Sequence, residues 1–136
     1  MNNFQASIVL LFSLIGGCKT SQPGEEYYLL DPSQFNKRII NEKIFTTVDG
    51  LLKIYYLDPK AETFPKITTK LDNYEGYKWK GELIAEQLPN SSTIESERII
   101  MYVEAINNKW VVSELRKSVR CKKGHGHTVW GVNPCK

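Results

Sequence analysis

The chemically versatile side chains of this chain crowd between Arg116 and Lys136. They are Cys121 and Cys135, the sequence's two histidines His125 and His127, the cations Arg116, Lys117, Arg120, Lys122, Lys123 and Lys136, and Trp130. His125 and His127 stand one residue apart among glycines, and in extended backbone two such imidazoles point the same way and share an ion. Two ligands do not close a site, because structural zinc takes four and catalytic zinc three plus water. The adjacent Lys122 and Lys123 also repel a cation, so no metal is favoured, and His125 and His127 remain only minor ligand candidates. Elsewhere Glu82, Glu86, Glu95, Glu97, Glu104 and Glu114 supply carboxylates, but none sits in a catalytic signature and no nucleophile elbow is present. The expectation is a protein without catalytic residues and without a cofactor.

At the other end, an uncharged apolar stretch from Ala6 closes on Leu14-Ile15-Gly16-Gly17-Cys18. Its length suits a secretory h-region and falls short of the roughly 20 residues a membrane-spanning helix needs. The Gly-Gly-Cys junction resembles the lipobox of bacterial lipoproteins, in which the cysteine is acylated and the peptide cut before it. The resemblance implies a signal peptide over 1–17, lipidation of Cys18, and a mature protein held on a cell membrane or outer membrane, facing the periplasm or exterior. Each acyl methylene buried contributes about 0.8 kcal/mol, and two or more chains hold stably. The alternative is an ordinary secretory signal with an incidental cysteine.

Export into an oxidising compartment changes the reading of the remaining sulfurs. With Cys18 lipidated, Cys121 and Cys135 form an even pair without Cys-x-x-Cys spacing, and a structural disulfide is expected. The segment from Arg120 to Cys135, preceded by Trp110-Val111-Val112, resembles the closing segment of small exported bacterial proteins in which a hairpin leads to Cys, a Gly-His pair, an aromatic and a final Cys. That resemblance assigns no catalytic residue.

The formal charge of +3 is unevenly placed. All 15 Asp and Glu precede Arg116, whereas Arg116, Lys117, Arg120, Lys122, Lys123 and Lys136 follow with no acid among them. Such an end is either a solvated terminus or a surface for lipid headgroups, cell-wall polymer or an acidic envelope protein. Arg116, Lys117, Arg120, Lys122 and Lys123, with His125, His127 and Trp130, form the expected binding surface. Nucleic acid is not expected as a partner of an exported, tethered domain.

The elements that must carry these groups follow from the apolar pattern. Residues 18–30 read as a polar tether and 31–136 as one domain. Asp31-Pro32-Ser33-Gln34 is a helix start with a capping residue, an N1 proline and a glutamine placed for a capping box. Phe35, Ile39, Ile40, Ile44, Val48, Leu51, Leu52 and Tyr55 recur at steps of three and four, which predicts an amphipathic helix over 32–57 with a kink or break near Gly50. Strands are expected over 77–88, 98–106 and 109–121, with a further short one over 67–71. Asn107-Asn108 tolerates the positive φ of a tight hairpin. A helix followed by an antiparallel meander of three to four strands is an α+β fold, and element order points to a cystatin-like or nuclear-transport-factor-like half-cone.

Overall fold

A computed structural model describes residues 26–136. The signal segment, Cys18 and the tether up to residue 25 lie outside the described residues. The fold is α+β: β1 (Tyr28–Leu30), α1 (Ser33–Asn41), α2 (Val48–Tyr56), β2 (Lys66–Glu75), β3 (Lys78–Glu86), β4 (Ile94–Ile106) and β5 (Lys109–Cys121). The five strands form one antiparallel sheet in the order β1-β5-β4-β3-β2. Among the described residues no helix is long and apolar enough to cross a membrane.

The expected single helix over 32–57 is two helices, and the break falls before Thr47 rather than at Gly50. Lys43 adopts φ +48°, its N–H reaches the Ile40 carbonyl, and the Ile44 N–H reaches that of Ile39. These two bonds are the Schellman ending of a helix, in which one residue turns left-handed and is usually glycine. Here a lysine does it, so the sequence carried no glycine to announce the stop. Thr47 then caps α2 by accepting the Gly50 N–H through Oγ1 at 3.2 Å, which turns an apparent weak spot of one helix into the start of another. At the first helix, Asp31 accepts both the N–H and the hydroxyl of Ser33, at 2.9 and 2.7 Å, one residue earlier than a conventional cap.

The sheet is larger than the three to four strands expected. The stretch anticipated as a short strand over 67–71 runs from Lys66 to Glu75, and residues 28–30, assigned to the tether from composition, form β1 along the far side of β5. The β4–β5 hairpin turns on Asn107 and Asn108, at φ +51° and +60°, the geometry that the right-handed twist of paired strands favours. With 13 residues in each strand, this hairpin is the spine of the molecule.

Both helices lie on one face of the sheet. Phe35, Ile39, Val48, Leu51 and Leu52 pack there against Leu83, Ala85, Ile99, Met101, Val103, Val112 and Leu115, forming the core. Three contacts fix the helices. Asn36 pairs with both backbone groups of Val112, at 2.8 and 2.9 Å, as a short strand would. The Trp110 indole donates to the Thr46 carbonyl at 2.7 Å, pinning the link between helices. Gly81 lets α2 approach, since a Cβ there would stand 2.6 Å from Leu52 Cδ1 and 3.3 Å from Val48 Cγ1.

Gly81→Val should therefore lift α2 from β3 and cost roughly 1–3 kcal/mol through overpacking. Urea unfolding measures this, and a change under about 0.5 kcal/mol, the usual size for a surface substitution, would show that α2 does not press there.

Candidate functional site

The segment after β5 folds back along the sheet and is tied at several points. Cys121 and Cys135 are joined as a disulfide, with Cα atoms 5.4 Å apart. The Cys121 N–H donates to the His127 carbonyl at 2.8 Å, and Val119 and Gly131 exchange two backbone hydrogen bonds at 2.9 and 3.0 Å. Tyr28 adds its hydroxyl to the Val132 carbonyl. The loop is thus held by backbone pairing as well as by sulfur.

Trp130 shows how the returning segment grips the sheet. On the face opposite the helices, Arg98 and Arg120 place their guanidinium carbons 4.6 and 4.5 Å from the centre of the indole. Arg98 is buried, and its Nε donates to the Ser118 hydroxyl at 3.1 Å, while Arg120 Nε donates to that of Ser96 at 3.0 Å. Ser96 and Ser118 are themselves buried. Cation–π contacts contribute more as they lose water, so this cluster anchors the tail and covers the polar centre of the sheet.

His127 is a second anchor. Its Nδ1 and Nε2 each lie 2.8 Å from a backbone carbonyl, those of Val129 and Asn133. A neutral imidazole has a single N–H, so both contacts are hydrogen bonds only when the ring is protonated. The two carbonyls, Val129 first, hold the His127 pKa above its ordinary value. Gly131 makes the fit, because a Cβ there would sit 3.0 Å from the ring.

The structure divides the basic residues that the sequence placed on one surface. Arg116 lies between Tyr27 and Tyr102, its guanidinium carbon 4.3 and 5.0 Å from the two ring centres, and its Nε contacts the Glu114 carboxylate. Lys117 points to the helix side, 3.1 Å from Glu97. Arg120 is engaged with Trp130. Lys122 and Lys123 are exposed, and Lys122 donates to the Ser91 carbonyl at 3.2 Å. His125 is partly covered and turns its Nδ1 toward the Lys136 carbonyl, away from a shared site with His127. The ligand atoms that do converge belong to Cys121, His127 and Cys135, all within 4.8 Å. While the sulfurs are bonded to one another they are not the thiolates that hold a soft ion.

A second place was invisible in the sequence. Where α2 ends and the sheet runs on, a cavity of about 840 Å³ opens between the 57–65 and 88–94 segments and strands β1, β4 and β5. On its wall Tyr56 donates its hydroxyl to one Glu97 carboxylate oxygen at 2.7 Å, while Lys117 sits 3.1 Å from the other. Burial, and after it the Glu97 carboxylate, push the Tyr56 phenol well above its ordinary pKa. Tyr55, Phe64, Leu88 and Ile94 supply apolar surface around this polar group. Tyr56, Glu97 and Lys117 come from three elements, and no local spacing joins them.

Two outcomes test the tail. Since the folded pKa of His127 lies above its unfolded value near 6.5, its contribution to stability is full below that value and is lost as pH rises through the folded pKa. Melting temperatures from pH 5 to 8 should fall for the parent across that window more than for His127→Gln; parallel curves would remove the double anchor. Cys135→Ser opens a loop with a sequence separation of 14 and should cost about 3 kcal/mol in urea unfolding.

The chain matches no family model, no curated protein and no solved structure, so the chemistry of these two places carries the functional argument.

Proposed function

We propose that this protein is a lipid-anchored, non-catalytic binding module of a bacterial envelope, acylated at Cys18 and facing the periplasm or exterior. Its contact surface is the disulfide-closed loop carrying Lys122 and Lys123. The observation that supports this reading is the division among the cations. Arg98, Arg116 and Arg120 are taken up by rings and hydroxyls on the sheet, and Lys117 by Glu97, whereas Lys122 and Lys123 stand exposed on a loop fixed by a disulfide and backbone pairing. A fixed pair of exposed cations suits an anionic surface, with little ordering cost on binding. Lipid headgroups, anionic cell-wall polymer and an acidic envelope protein share that chemistry. Helices on one side of an antiparallel meander support a cystatin-like or nuclear-transport-factor-like half-cone, a scaffold shape that does not by itself select an activity.

The second reading is an inhibitor or immunity-type protein that blocks an exported enzyme with the same loop. A loop fastened to the sheet by a disulfide and backbone pairing favours it, because pre-organised loops lose little freedom on docking.

Feeding a labelled fatty acid to expressing cells should label the parent and leave Cys18→Ser unlabelled. Label on the Cys18→Ser protein, or none on the parent, overturns the anchor. Charge reversal of Lys122 and Lys123 to Glu should weaken retention of the protein's envelope partner in a pull-down from solubilised membranes by at least about tenfold, near 1.4 kcal/mol. Recovery of a single stoichiometric enzyme would favour the inhibitor reading, and recovery of polymer or an assembly component the first. Unchanged retention would remove the loop from both.

A further inference from the structure

The cavity at the end of α2 has the chemistry of a ligand site that the loop hypothesis does not use. On its polar wall a carboxylate and an ammonium stand side by side, offering both an acceptor and donors, and the exposed Asp58 adds a second carboxylate to the lining. Tyr56 holds one Glu97 oxygen and Lys117 the other, which fixes the carboxylate. The ammonium has three N–H groups, and a pair 3.1 Å apart occupies one of them with Glu97. Asn90, Ser91 and Thr63 add amide and hydroxyl groups around the opening, and Phe64 is 55% exposed beside them.

These features select among ligand classes. A hydrocarbon chain laid in this cavity would strip water from Glu97 and Lys117 and return no hydrogen bond, a cost of several kcal/mol per ion in general. An anion would be drawn to Lys117 but would face Glu97 on the same wall. An uncharged molecule rich in hydroxyls avoids both penalties, since each hydroxyl donates to a carboxylate and accepts from an ammonium. The exposed Phe64 ring asks in addition for a ligand with one apolar face.

We propose that this cavity binds a sugar ring of an uncharged glycan, with Glu97 and Lys117 hydrogen-bonding its hydroxyls and Phe64 against its less polar face. The inference rests on the binding-module reading and adds a second contact to it: the loop meets negative charge, and the cavity meets a neutral saccharide unit.

Saturation-transfer NMR on the full chain in phosphocholine nanodiscs tests this, with tetramers of N-acetylglucosamine, cellotetraose and maltotetraose as probes, decanoate as the apolar comparison and empty nanodiscs as control. At least one sugar should receive transfer at its ring protons with Kd on the order of 1 mM. Phe64→Ala, an exposed position, should weaken binding about tenfold while the melting temperature stays within about 2 °C of the parent, as expected for a surface change under 0.5 kcal/mol. Lys117→Met and Glu97→Gln should each weaken it at least about tenfold, the scale of one lost hydrogen bond to a charged group. Transfer to none of the sugars, transfer undiminished in Phe64→Ala, or transfer to decanoate alone overturns the proposal. Lys123→Glu alone should leave sugar binding intact; Lys122 is kept in this control because it donates to the carbonyl of Ser91 on the cavity lining. Loss of the cavity's ligand with envelope retention preserved would therefore sink this inference and spare the loop, whereas the reverse pattern would sink the loop alone.

Discussion

The register of the β4–β5 hairpin is the constraint on which the rest of the molecule depends. A strand presents alternate residues to opposite faces, so a slip of one position would exchange them all. In the observed register Met101 faces Leu115 and Val103 faces Val112, beneath the helices, while Ser96 and Arg98 lie beside Arg120 and Ser118 on the other side. The pairing shifts between Tyr102 and Val103, which lets Val112 and Leu115, three residues apart, both enter the core. Without that shift one of them would face the arginines. Core, Trp130 clamp and cavity wall all descend from this alignment, and two asparagines at positive φ set where it starts.

The two faces of the sheet are closed by different physics. One takes helices and is apolar throughout its middle. The other is polar, with two buried serines and a buried arginine, and it is closed by an indole between guanidinium groups. An indole suits that place because it brings surface area and an electron-rich face without demanding that the arginines give up their bonds to Ser96 and Ser118. Sequence order makes this possible: the residues after β5 leave beside the strand they must cover.

How much of this was legible follows from which signals were local. The hairpin, its asparagine turn and the two long strands were readable because alternation and turn residues lie within one stretch of chain. The antiparallel α+β class followed from element order. The helix break was not readable, because Lys43 does what glycine usually does. β1 was hidden in a short, polar-looking segment that becomes a strand only when β5 is present to pair with it. Arg116, Lys117 and Arg120 looked like parts of one basic surface, and only the sheet's alternation and its neighbours separate them: Tyr27 and Tyr102 for Arg116, Glu97 for Lys117, Trp130 for Arg120. Tyr56 and Glu97 were each visible as residues, but 41 positions apart, and their meeting is a property of the packed structure.

The two borders of the sheet are protected against pairing with a further strand in different ways. From Val112 to Cys121 the outer side of β5 is occupied, by Asn36 at Val112, by β1 at Leu115 to Lys117, by Gly131 at Val119 and by the His127 carbonyl at Cys121. Unsatisfied strand backbone is a template for another copy of the chain, and here a side chain, three residues of strand and a sulfur-fastened strap take its place. The opposite border, β2, is guarded differently, by exposed Lys66, Lys70, Asp72 and Glu75. Close packing of copies would turn bare strand borders into joining points, and here one border is capped over most of its length and the other is lined with charge.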